Sequence, residues 1–392
     1  MSGFGLALRH AIALAGLLGG SVVHADNLNA PTYFAQDVPA PATSPVDQDA
    51  SETPDPFVIF TPSKTPVRHQ IEYEIWDYAL QNLVISMGPS TRKTARQPAK
   101  RLGTNVRLGH NSRYRLEGSM LGFYFLDDRA IASFGEYRRE LEGVAETLDI
   151  STLPRNEQLA FWFNLHNVAM VEKIAENWPF RQPRSLLVDG VPLNDAKFIT
   201  ITGVSMSPRD IRERIVYTNW RDPKVIYGFW LGEIGGPALE RAAFTGGNVG
   251  SLLELKAEDY INSLRGTQKR GKTLDVSTLY EEVSAFYFPD FQTDVRAHIV
   301  KYAKPDVAEI LQKTTEIRAS IREYDIADLN GGRRDSTASL TTGAGVPFSI
   351  AALLTQRQRK LERLERKEER TGRVYFTDIT LPGQDPNEGQ VE

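Results

Sequence analysis

The sequence NEQLAFWFNLHNVAMVEKIAENW, residues 156–178, decides the fold, because it predicts the strongest helix of the chain. Apolar residues recur on one face at helical spacing, among them Phe161 and Leu165. Asn164 and Asn167 are three positions apart and therefore share a different face. Asparagines among aromatic residues are costly to bury unless they form hydrogen bonds. This pair therefore predicts either a tie to a neighbouring loop or a contact with a ligand.

Helical and strand-like segments alternate around this helix from Pro154 to about Pro305. The strand-like segments are short, as in KFITITG and PKVIYGFWL, and SLLELKAEDYINSLRG adds a further amphipathic helix. This mixed order favours an α+β fold over a doubly wound parallel sheet. We predict a single mixed helix/strand globular domain over residues 67–328.

Both ends of the chain differ in composition from this domain. Residues 26–66 are rich in Pro, Asp, Ser and Thr, with FVIF as an apolar run, which predicts an extended N-terminal tether. Residues 329–392 begin with NGGRRDSTASLTTGAG, a flexible linker by composition, and continue into a charged helix and a short tail. The charges of this helix are typical of a solvated surface, with docking to a partner as the alternative.

The first 25 residues have the pattern of a secretory signal peptide. Arg9 and His10 precede an apolar run of about a dozen residues, and the run ends in the small-residue cleavage site Val23-His24-Ala25. The alternative to a cleaved signal peptide is an uncleaved membrane anchor. The apolar run is short for that role, because a bilayer span needs about 20 residues. We therefore expect residues 1–25 to be removed near Ala25 and the protein to be periplasmic or secreted.

The composition excludes several kinds of chemistry. The 392 residues include no cysteine, which rules out disulfides, thiolate ligands and thiol nucleophiles. The net charge of −4 gives no electrostatic footprint for nucleic acid. Two basic segments, residues 91–107 and 357–370, are interpreted as a solvated loop and a solvated helix, with contact with an anionic surface as the alternative.

No cofactor or metal is predicted. GTQKRGKT, residues 266–273, fits the phosphate-binding pattern G-x-x-x-x-G-K-[ST], but a helix precedes it and a strand follows, the reverse of what that chemistry requires. The histidines at positions 69, 110, 166 and 298 are far apart and have no metal-binding spacing. His166 is interpreted as a packed or hydrogen-bonded residue of the strong helix.

Several segments resemble one family in order and spacing. LPRNEQLAFWFNLHNVAMV, a strand starting DPKVIYGF, GEIGGPALERAAFTG and TLYEEVSAFYFPDF are similar to the domain of unknown function 547, over about residues 134–305. The helix motif of typical members resembles A-F-W-I-N-x-Y-N, so Asn164 and Asn167 match and His166 stands at the tyrosine.

The resemblance implies that this chain has lost reactive groups. The usual loop resembles N-C-A-S-I-G-C-P-N-L, and its two cysteine positions are Leu231 and Gly236 here. Two histidines usual in the family are replaced by Glu213 and Ile226. A thiolate needs a base or a cation to lower its pKa. If the family uses a cysteine and a histidine, this chain lacks both.

Two functional hypotheses follow. The first is a non-catalytic binding or scaffold module of the cell envelope, whose recognition surface consists of Asn164, Asn167, Trp230 and Glu233 and whose partner is an envelope protein or a small ligand. The alternative is a carboxylate-dependent hydrolase or transferase in which Glu213 and Glu233 act as acid and base. The alternative requires both carboxyl groups to lie within about 10 Å in one cleft.

Overall fold

The computed structural model describes residues 55–97, 110–334 and 341–371, with side chains to Arg366 in the last range. The predicted signal peptide, most of the tether and the short tail lie outside the described residues, as do parts of the first basic segment and of the linker. The α-helices are α1 (Glu74–Leu83), α2 (Asp128–Thr147), α3 (Arg155–Asn177), α4 (Pro208–Asp210), α5 (Tyr217–Asn219), α6 (Val249–Asn262), α7 (Leu279–Glu282), α8 (Ser284–Tyr287), α9 (Phe291–Tyr302), α10 (Pro305–Gln312) and α11 (Phe348–Thr371). A π-helical segment, Ile211–Val216, joins α4 to α5.

The strands are short and form small sheets. They are β1 (Val84–Ser86), β2 (Ser119–Leu121), β3 (Leu187–Val188), β4 (Val191–Pro192), β5 (Ile199–Ile201), β6 (Val204–Met206), β7 (Thr267–Arg270), β8 (Thr273–Ser277) and β9 (Glu316–Ile321). The pairs β1–β2, β3–β4 and β5–β6 are antiparallel, and β8 pairs antiparallel with β7 and parallel with β9. Helices mixed with short strands along the chain confirm the predicted α+β class.

The helix α3 lies in the centre of the core. Every residue from Glu157 to Glu172 is buried, so this part of α3 has no solvent-exposed face. Polar residues on such a helix must find their hydrogen-bond partners within the protein. The helix α2 packs along α3 and is tied to it by Arg138, whose Nε lies 2.5 Å from Oε2 of Glu172.

The segment PKVIYGFWL, which we predict as a strand, is instead a short helix. Pro223–Gly228 form a 3-10 helix, which begins after Asp222 because that carboxylate accepts the backbone N–H of Lys224 at 3.0 Å. Gly228 then packs against Phe163 of α3 so closely that a Cβ would lie 2.3 Å from a ring carbon. Contact with α3, rather than strand pairing, therefore sets this backbone.

The phosphate-loop pattern of residues 266–273 forms a β-hairpin. Most of it lies in β7 and at the start of β8, and Gly271 in the turn between them has a φ of +61°. The backbone groups of β7 and β8 pair with each other, so they do not form the open cradle that a phosphate loop needs.

The described part of the tether docks on the core. Phe57 and Phe60 are buried, and the ring of Phe60 lies 5.2 Å from the ring of Trp162 at a steep angle. The first helix after it, α1, is ten residues long. The residues on either side of α1 are extended or irregular.

The C-terminal helix α11 packs on the same core along part of its length. Ile350 and Leu353 are buried members of the main cluster of apolar side chains. Further along, the side chain of Lys360 is also buried, whereas Arg359 and Arg363 are exposed. A helix expected to be solvated is therefore partly docked. Within the ranges given above, no helix combines the length and apolarity needed to cross a bilayer.

Candidate functional site

A cavity of about 450 Å³ opens where the π-helical segment faces the glycine-rich loop that follows Pro223–Gly228. Its wall combines charged and apolar side chains. The charged lining residues are Arg184, Asp195, Arg209, Arg212, Glu213, Glu233 and Glu282. The apolar lining residues are Leu193, Ile226, Phe229, Leu231, Leu279 and Val283, together with Pro183 and Pro192, and Tyr217 and Asn194 complete the wall.

Glu233 is the most enclosed carboxylate of this wall, with 4% of its surface exposed. The guanidinium of Arg184 binds both oxygens of this carboxylate, with Nε 2.6 Å from Oε1 and Nη2 3.2 Å from Oε2. The same guanidinium donates to Glu282 at 2.9 Å. Burial raises the pKa of Glu233 to about 7, against the opposing effect of Arg184. The carboxyl group therefore titrates near neutral pH.

Glu213 lies on the π-helical segment and lines the same cavity. Its side chain is 35% exposed, and its closest cation is Arg209 at 3.9 Å. Arg209 itself is engaged more closely by Asp195, at 2.6 Å. The carboxylate of Glu213 is thus only loosely paired.

Arg212, next to Glu213, is the unusual cation of the wall. It is 9% exposed, and its Nη1 donates to Nε2 of His166 at 2.8 Å. No carboxylate in the described part of the chain forms an ion pair with it, although Glu213 and Glu282 face the same cavity. Burial lowers the pKa of Arg212, yet a guanidinium stays charged across the physiological range.

His166 connects Arg212 to the loop. Because a guanidinium can only donate, Nε2 of His166 must accept, and the proton of the neutral ring lies on Nδ1. That nitrogen lies 3.1 Å from Oδ1 of Asn167, to which it donates. Burial, followed by the nearby charge of Arg212, lowers the pKa of His166 well below its usual value. The histidine therefore acts as a neutral hydrogen-bond relay within the helix α3.

The two asparagines of α3 anchor the loop. Asn167 accepts the backbone N–H of Trp230 at 2.9 Å and donates to the carbonyl of Gly228 at 3.0 Å. Asn164 makes the same two-sided contact with Phe244, at 3.1 Å to its N–H and 2.7 Å to its carbonyl. The helix face identified from sequence therefore holds both ends of the loop from residue 228 to residue 244.

The predicted recognition surface needs correction. Asn164 and Asn167 are buried and hydrogen-bonded to backbone, and Trp230 is buried behind the loop. None of these three lines the cavity, whereas Glu233 does. Glu213 and Glu233, the acid and base of the alternative hypothesis, both line this cavity, although twenty positions separate them in sequence.

Glycine shapes this loop at two positions. Gly232 has a φ of +80°, a region that side chains rarely adopt, and a Cβ there would lie 2.5 Å from Cδ1 of Ile174. A Cβ at Gly235 would lie 2.4 Å from the carbonyl oxygen of Glu323. The glycines thus allow the loop to pack against α3 on one side and against the chain after β9 on the other.

The positions at which this chain departs from the resembled family come together in space. Glu213, Ile226 and Leu231, which stand at a histidine, a histidine and a cysteine of that family, all line the cavity. Gly236, at the second cysteine, lies beside Leu231 and Glu233 in an adjoining small cavity. No serine, threonine, cysteine or histidine is among the residues that line the main cavity.

Fold and site together define an α+β domain in which a buried helix holds a glycine-rich loop over a charged cavity. Residues 150–261 match the family model described as "Protein of unknown function, DUF547", so the chain carries a domain of this family, as the resemblance predicts. The matched residues include α3, the π-helical segment and the glycine loop. No curated protein and no solved structure matches the chain significantly.

Sequence reasoning missed the cations of the cavity. Arg184 and Glu233 are 49 positions apart, and nothing in either local sequence indicates that they meet. One feature of the sequence could have indicated Arg212, because it precedes Glu213, which stands at a histidine position of the resembled family. Its burial, however, depends on the fold. Among the described residues, no cluster of His, Asp and Glu has the geometry to hold a metal ion.

Proposed function

We propose that this protein is a non-catalytic binding module whose cavity takes a small zwitterion, a compound of amino-acid or dipeptide size with one carboxylate and one ammonium group. The observation that carries the proposal is Arg212, a buried guanidinium on the cavity wall whose one side-chain partner in the described residues is the neutral ring of His166. A buried charge without a counter-ion costs several kcal/mol. A ligand carboxylate offsets that cost.

Glu213 supplies the complementary group. Its carboxylate faces the cavity and is only loosely paired with Arg209. Arg212 and Glu213 are adjacent in sequence, so the two unsatisfied charges of opposite sign lie on one wall. A zwitterion satisfies both, whereas a simple anion leaves Glu213 unpaired and is repelled by it.

The remaining charges of the wall pair with one another. Arg184 holds Glu233 and Glu282, and Arg209 holds Asp195. The pair of Arg209 and Asp195 is neutral, and the single cation Arg184 faces two carboxylates, so neither group needs an anionic ligand. The apolar side chains of Ile226, Phe229 and Leu231 offer the rest of the surface, which suits an aliphatic group on the ligand.

The lining also favours binding over covalent catalysis. The family's cysteine position is Leu231, and no hydroxyl of serine or threonine takes its place on the wall. Covalent catalysis by a thiol or an aliphatic hydroxyl needs such a group beside a base. A wall that lacks these groups favours recognition over that form of catalysis.

A thermal-shift panel tests the proposal. The purified protein is heated with each standard α-amino acid and with leucylleucine, and also with the C-terminal amide and the N-acetyl form of each compound that stabilises it. We expect free zwitterions to raise Tm and both blocked forms to lose the effect. No stabilisation by any member of the panel, or equal stabilisation by the blocked forms, contradicts the proposal.

Two variants locate the effect. Arg212→Gln should abolish the difference in Tm shift between the free carboxylate and its C-terminal amide. Glu213→Gln should abolish the difference in Tm shift between the free ammonium form and its N-acetyl form. Arg115→Gln is the control, because Arg115 is also buried but is not among the residues that line the cavity. Loss of ligand discrimination in this control would mean that general destabilisation, rather than the cavity, explains the result.

A carboxylate-dependent hydrolase or transferase is a second candidate, supported by one observation. Glu213 and Glu233 line the same cavity, and burial brings the pKa of Glu233 to about 7, a value suited to a general acid. Its test is turnover of p-nitrophenyl esters and glycosides by wild type and by Glu233→Gln. Activity in wild type that the variant loses would replace the binding proposal. Equal background rates would remove this candidate.

We further propose that the protein acts outside the cytoplasm. The support is the sequence pattern of residues 1–25, which precedes the described residues. N-terminal sequencing of the mature protein from a bacterial host that expresses the full chain is the test. We expect Asp26 as the first residue in a periplasmic or medium fraction. An intact N-terminus in the cytosolic fraction would overturn the assignment.

A further inference from the structure

A second and larger cavity, of about 990 Å³, lies between the loop at residues 90–97 and the C-terminal helix α11. The described parts of both basic segments line it, residues 91–97 of the segment 91–107 and residues 357–366 of the segment 357–370. The fold brings them to opposite walls of one cleft. Its cationic lining residues are Lys93, Arg96, Arg359, Lys360, Arg363 and Arg366, against two carboxylates, Asp306 and Glu362.

Within the described residues, five of these six cations have no carboxylate as an ion-pair partner. Arg366 is paired with Glu362 at 4.0 Å. No other cation of the lining forms an ion pair with a carboxylate within the ranges that the structure describes. In a chain of net charge −4, such a concentration of unpaired positive charge is a local feature with its own electrostatic field.

Both walls of the cleft are held in place by buried contacts. On the loop side, the guanidinium of Arg92 donates to the carbonyls of Asn262 at 2.9 Å and Thr267 at 2.8 Å. On the helix side, Lys360 is 3% exposed and its Nζ donates to the carbonyls of Leu116 at 2.6 Å and Met87 at 2.9 Å. The cleft is therefore preformed.

Buried cations add to the field of the cleft. Lys360 lines it directly and has carbonyl oxygens as its hydrogen-bond partners, while the nearby buried carboxylate of Glu117 offsets part of its charge. Arg115 lies behind it, fully buried, and donates to Gln356 at 2.9 Å and to the carbonyl of Arg96. Charges buried in a low-dielectric interior project their field toward the nearest opening, where an anion is stabilised.

We propose that this cleft binds a phosphate group of a larger compound, with Arg359 and Arg363 contacting it from α11 and Lys93 and Arg96 from the facing loop. The two arginines are four positions apart and share one helix face. One guanidinium group can donate two parallel hydrogen bonds to two oxygens of a phosphate. Several cations around one phosphate group favour a ligand that carries more than one negative charge. The cavity exceeds the size of a single phosphate, so the group belongs to an organic phosphate or to the headgroup of an anionic lipid.

Two binding experiments separate these sources. The first is calorimetric titration of inorganic pyrophosphate into the purified protein at moderate salt. The second is sedimentation of the protein with vesicles of phosphatidylcholine alone and with vesicles that also contain phosphatidylglycerol. We expect pyrophosphate binding, with vesicle binding in addition only if the source is lipid. If neither pyrophosphate nor the phosphatidylglycerol vesicles bind, the proposal is overturned.

A pair of charge-matched variants tests the location. The cleft variant is Lys93→Gln, Arg359→Gln, Arg363→Gln, and the control is Lys269→Gln, Arg221→Gln, Arg322→Gln, which removes three exposed cations elsewhere. All six side chains are exposed, so the fold should survive in both, which Tm verifies. We expect about a tenfold or greater loss of affinity in the cleft variant only. Equal losses in both variants would show nonspecific attraction and refute the cleft site.

Discussion

At the scale of single residues, the two asparagines of α3 connect the core to the cavity through hydrogen bonds. Asn167 alone satisfies the N–H of Trp230, the carbonyl of Gly228 and the ring nitrogen of His166. Because His166 in turn accepts from Arg212, one buried amide orients both the loop and the cation of the cavity. These contacts are worth more together than one hydrogen bond, since each lost partner would remain buried and unsatisfied.

Replacement of Asn167 by alanine should therefore be costly. We expect Asn167→Ala to lower the free energy of unfolding by about 3 kcal/mol, because three buried polar groups lose their partner. Urea denaturation followed by circular dichroism measures it. Asn82→Ala is the control, because Asn82 is exposed and bonds only its own helix backbone, and should change stability by less than about 0.5 kcal/mol. Similar effects of the two substitutions would refute the anchoring role.

Gly232 gives a second residue-scale prediction. Its backbone φ is +80°, a value that residues with a side chain rarely adopt. An added Cβ would also lie only 2.5 Å from Cδ1 of Ile174, which is a steric clash. We expect Gly232→Ala to destabilise the protein by about 1 to 3 kcal/mol. Gly250→Ala, in the open first turn of α6, has no atom within 4 Å of the added carbon and should be neutral or stabilising. A harmless Gly232→Ala would mean that the loop backbone is not constrained as described.

How far the sequence predicts these residues depends on the range of their contacts. The spacing of Asn164 and Asn167 on one helix, with aromatic neighbours, is enough to predict buried amides that need partners. It cannot decide between a loop and a ligand, because the partners Phe244 and Trp230 lie 80 and 63 positions away. The pairing of Arg184 with Glu233 is equally nonlocal, and no pattern in the sequence indicates it.

At the scale of elements, the helices could be predicted better than the strands. The helix α3 follows from its apolar spacing, whereas PKVIYGFWL has the composition of a strand and forms a 3-10 helix because Gly228 is pressed against Phe163. The charges of α11 predict a solvated helix, yet Leu353 is buried. Tertiary contacts override local propensity in both cases.

The docking of α11 leads to a stability prediction. Leu353→Ala should cost about 2 to 4 kcal/mol in unfolding free energy, because a buried leucine is removed from the main core. Leu255→Ala, on the exposed face of α6, removes the same atoms from a side chain that is 59% exposed. Denaturant midpoints of the two variants are compared. If Leu353→Ala proves as mild as Leu255→Ala, α11 is not part of the cooperative core.

The helix α9 introduces a pH dependence through His298. Its Nε2 lies 2.8 Å from Oη of Tyr227, and burial lowers the pKa of His298 to about 4. The unfolded chain, with a pKa near 6.5, therefore binds more protons between these values, so stability is lost as pH falls from about 6.5 to 4. The loss attributable to this group is about 3 kcal/mol.

Equilibrium unfolding at several pH values checks this dependence. The slope of unfolding free energy against pH between 6.5 and 4 should be smaller in His298→Gln than in wild type, whatever the absolute stability of the variant. His69→Gln, at an exposed position, should leave the slope unchanged. An unaltered slope in His298→Gln would show that His298 does not stay neutral in the folded protein.

At the scale of the whole molecule, the chain has two candidate sites that differ in how their charged side chains are paired. The DUF547 domain holds a small cavity in which most charges are paired and Arg212 and Glu213 remain open. Between the loop at residues 90–97 and α11, outside the matched range, lies a cleft whose cations, apart from Arg366, form no ion pair with a carboxylate of the described residues. The first suits a small zwitterion and the second a phosphate group, so the two proposals stand or fall separately.

The measurement that tests the central claim most directly is a pair of calorimetric titrations. The zwitterion that gives the largest thermal shift, and its C-terminal amide, are titrated into wild type and into Arg212→Gln. Recognition of a carboxylate by Arg212 predicts that wild type prefers the free acid by about tenfold or more, and that the variant binds both forms equally weakly. If the preference for the free acid persists in Arg212→Gln, the carboxylate binds elsewhere and the assignment of this cavity is wrong.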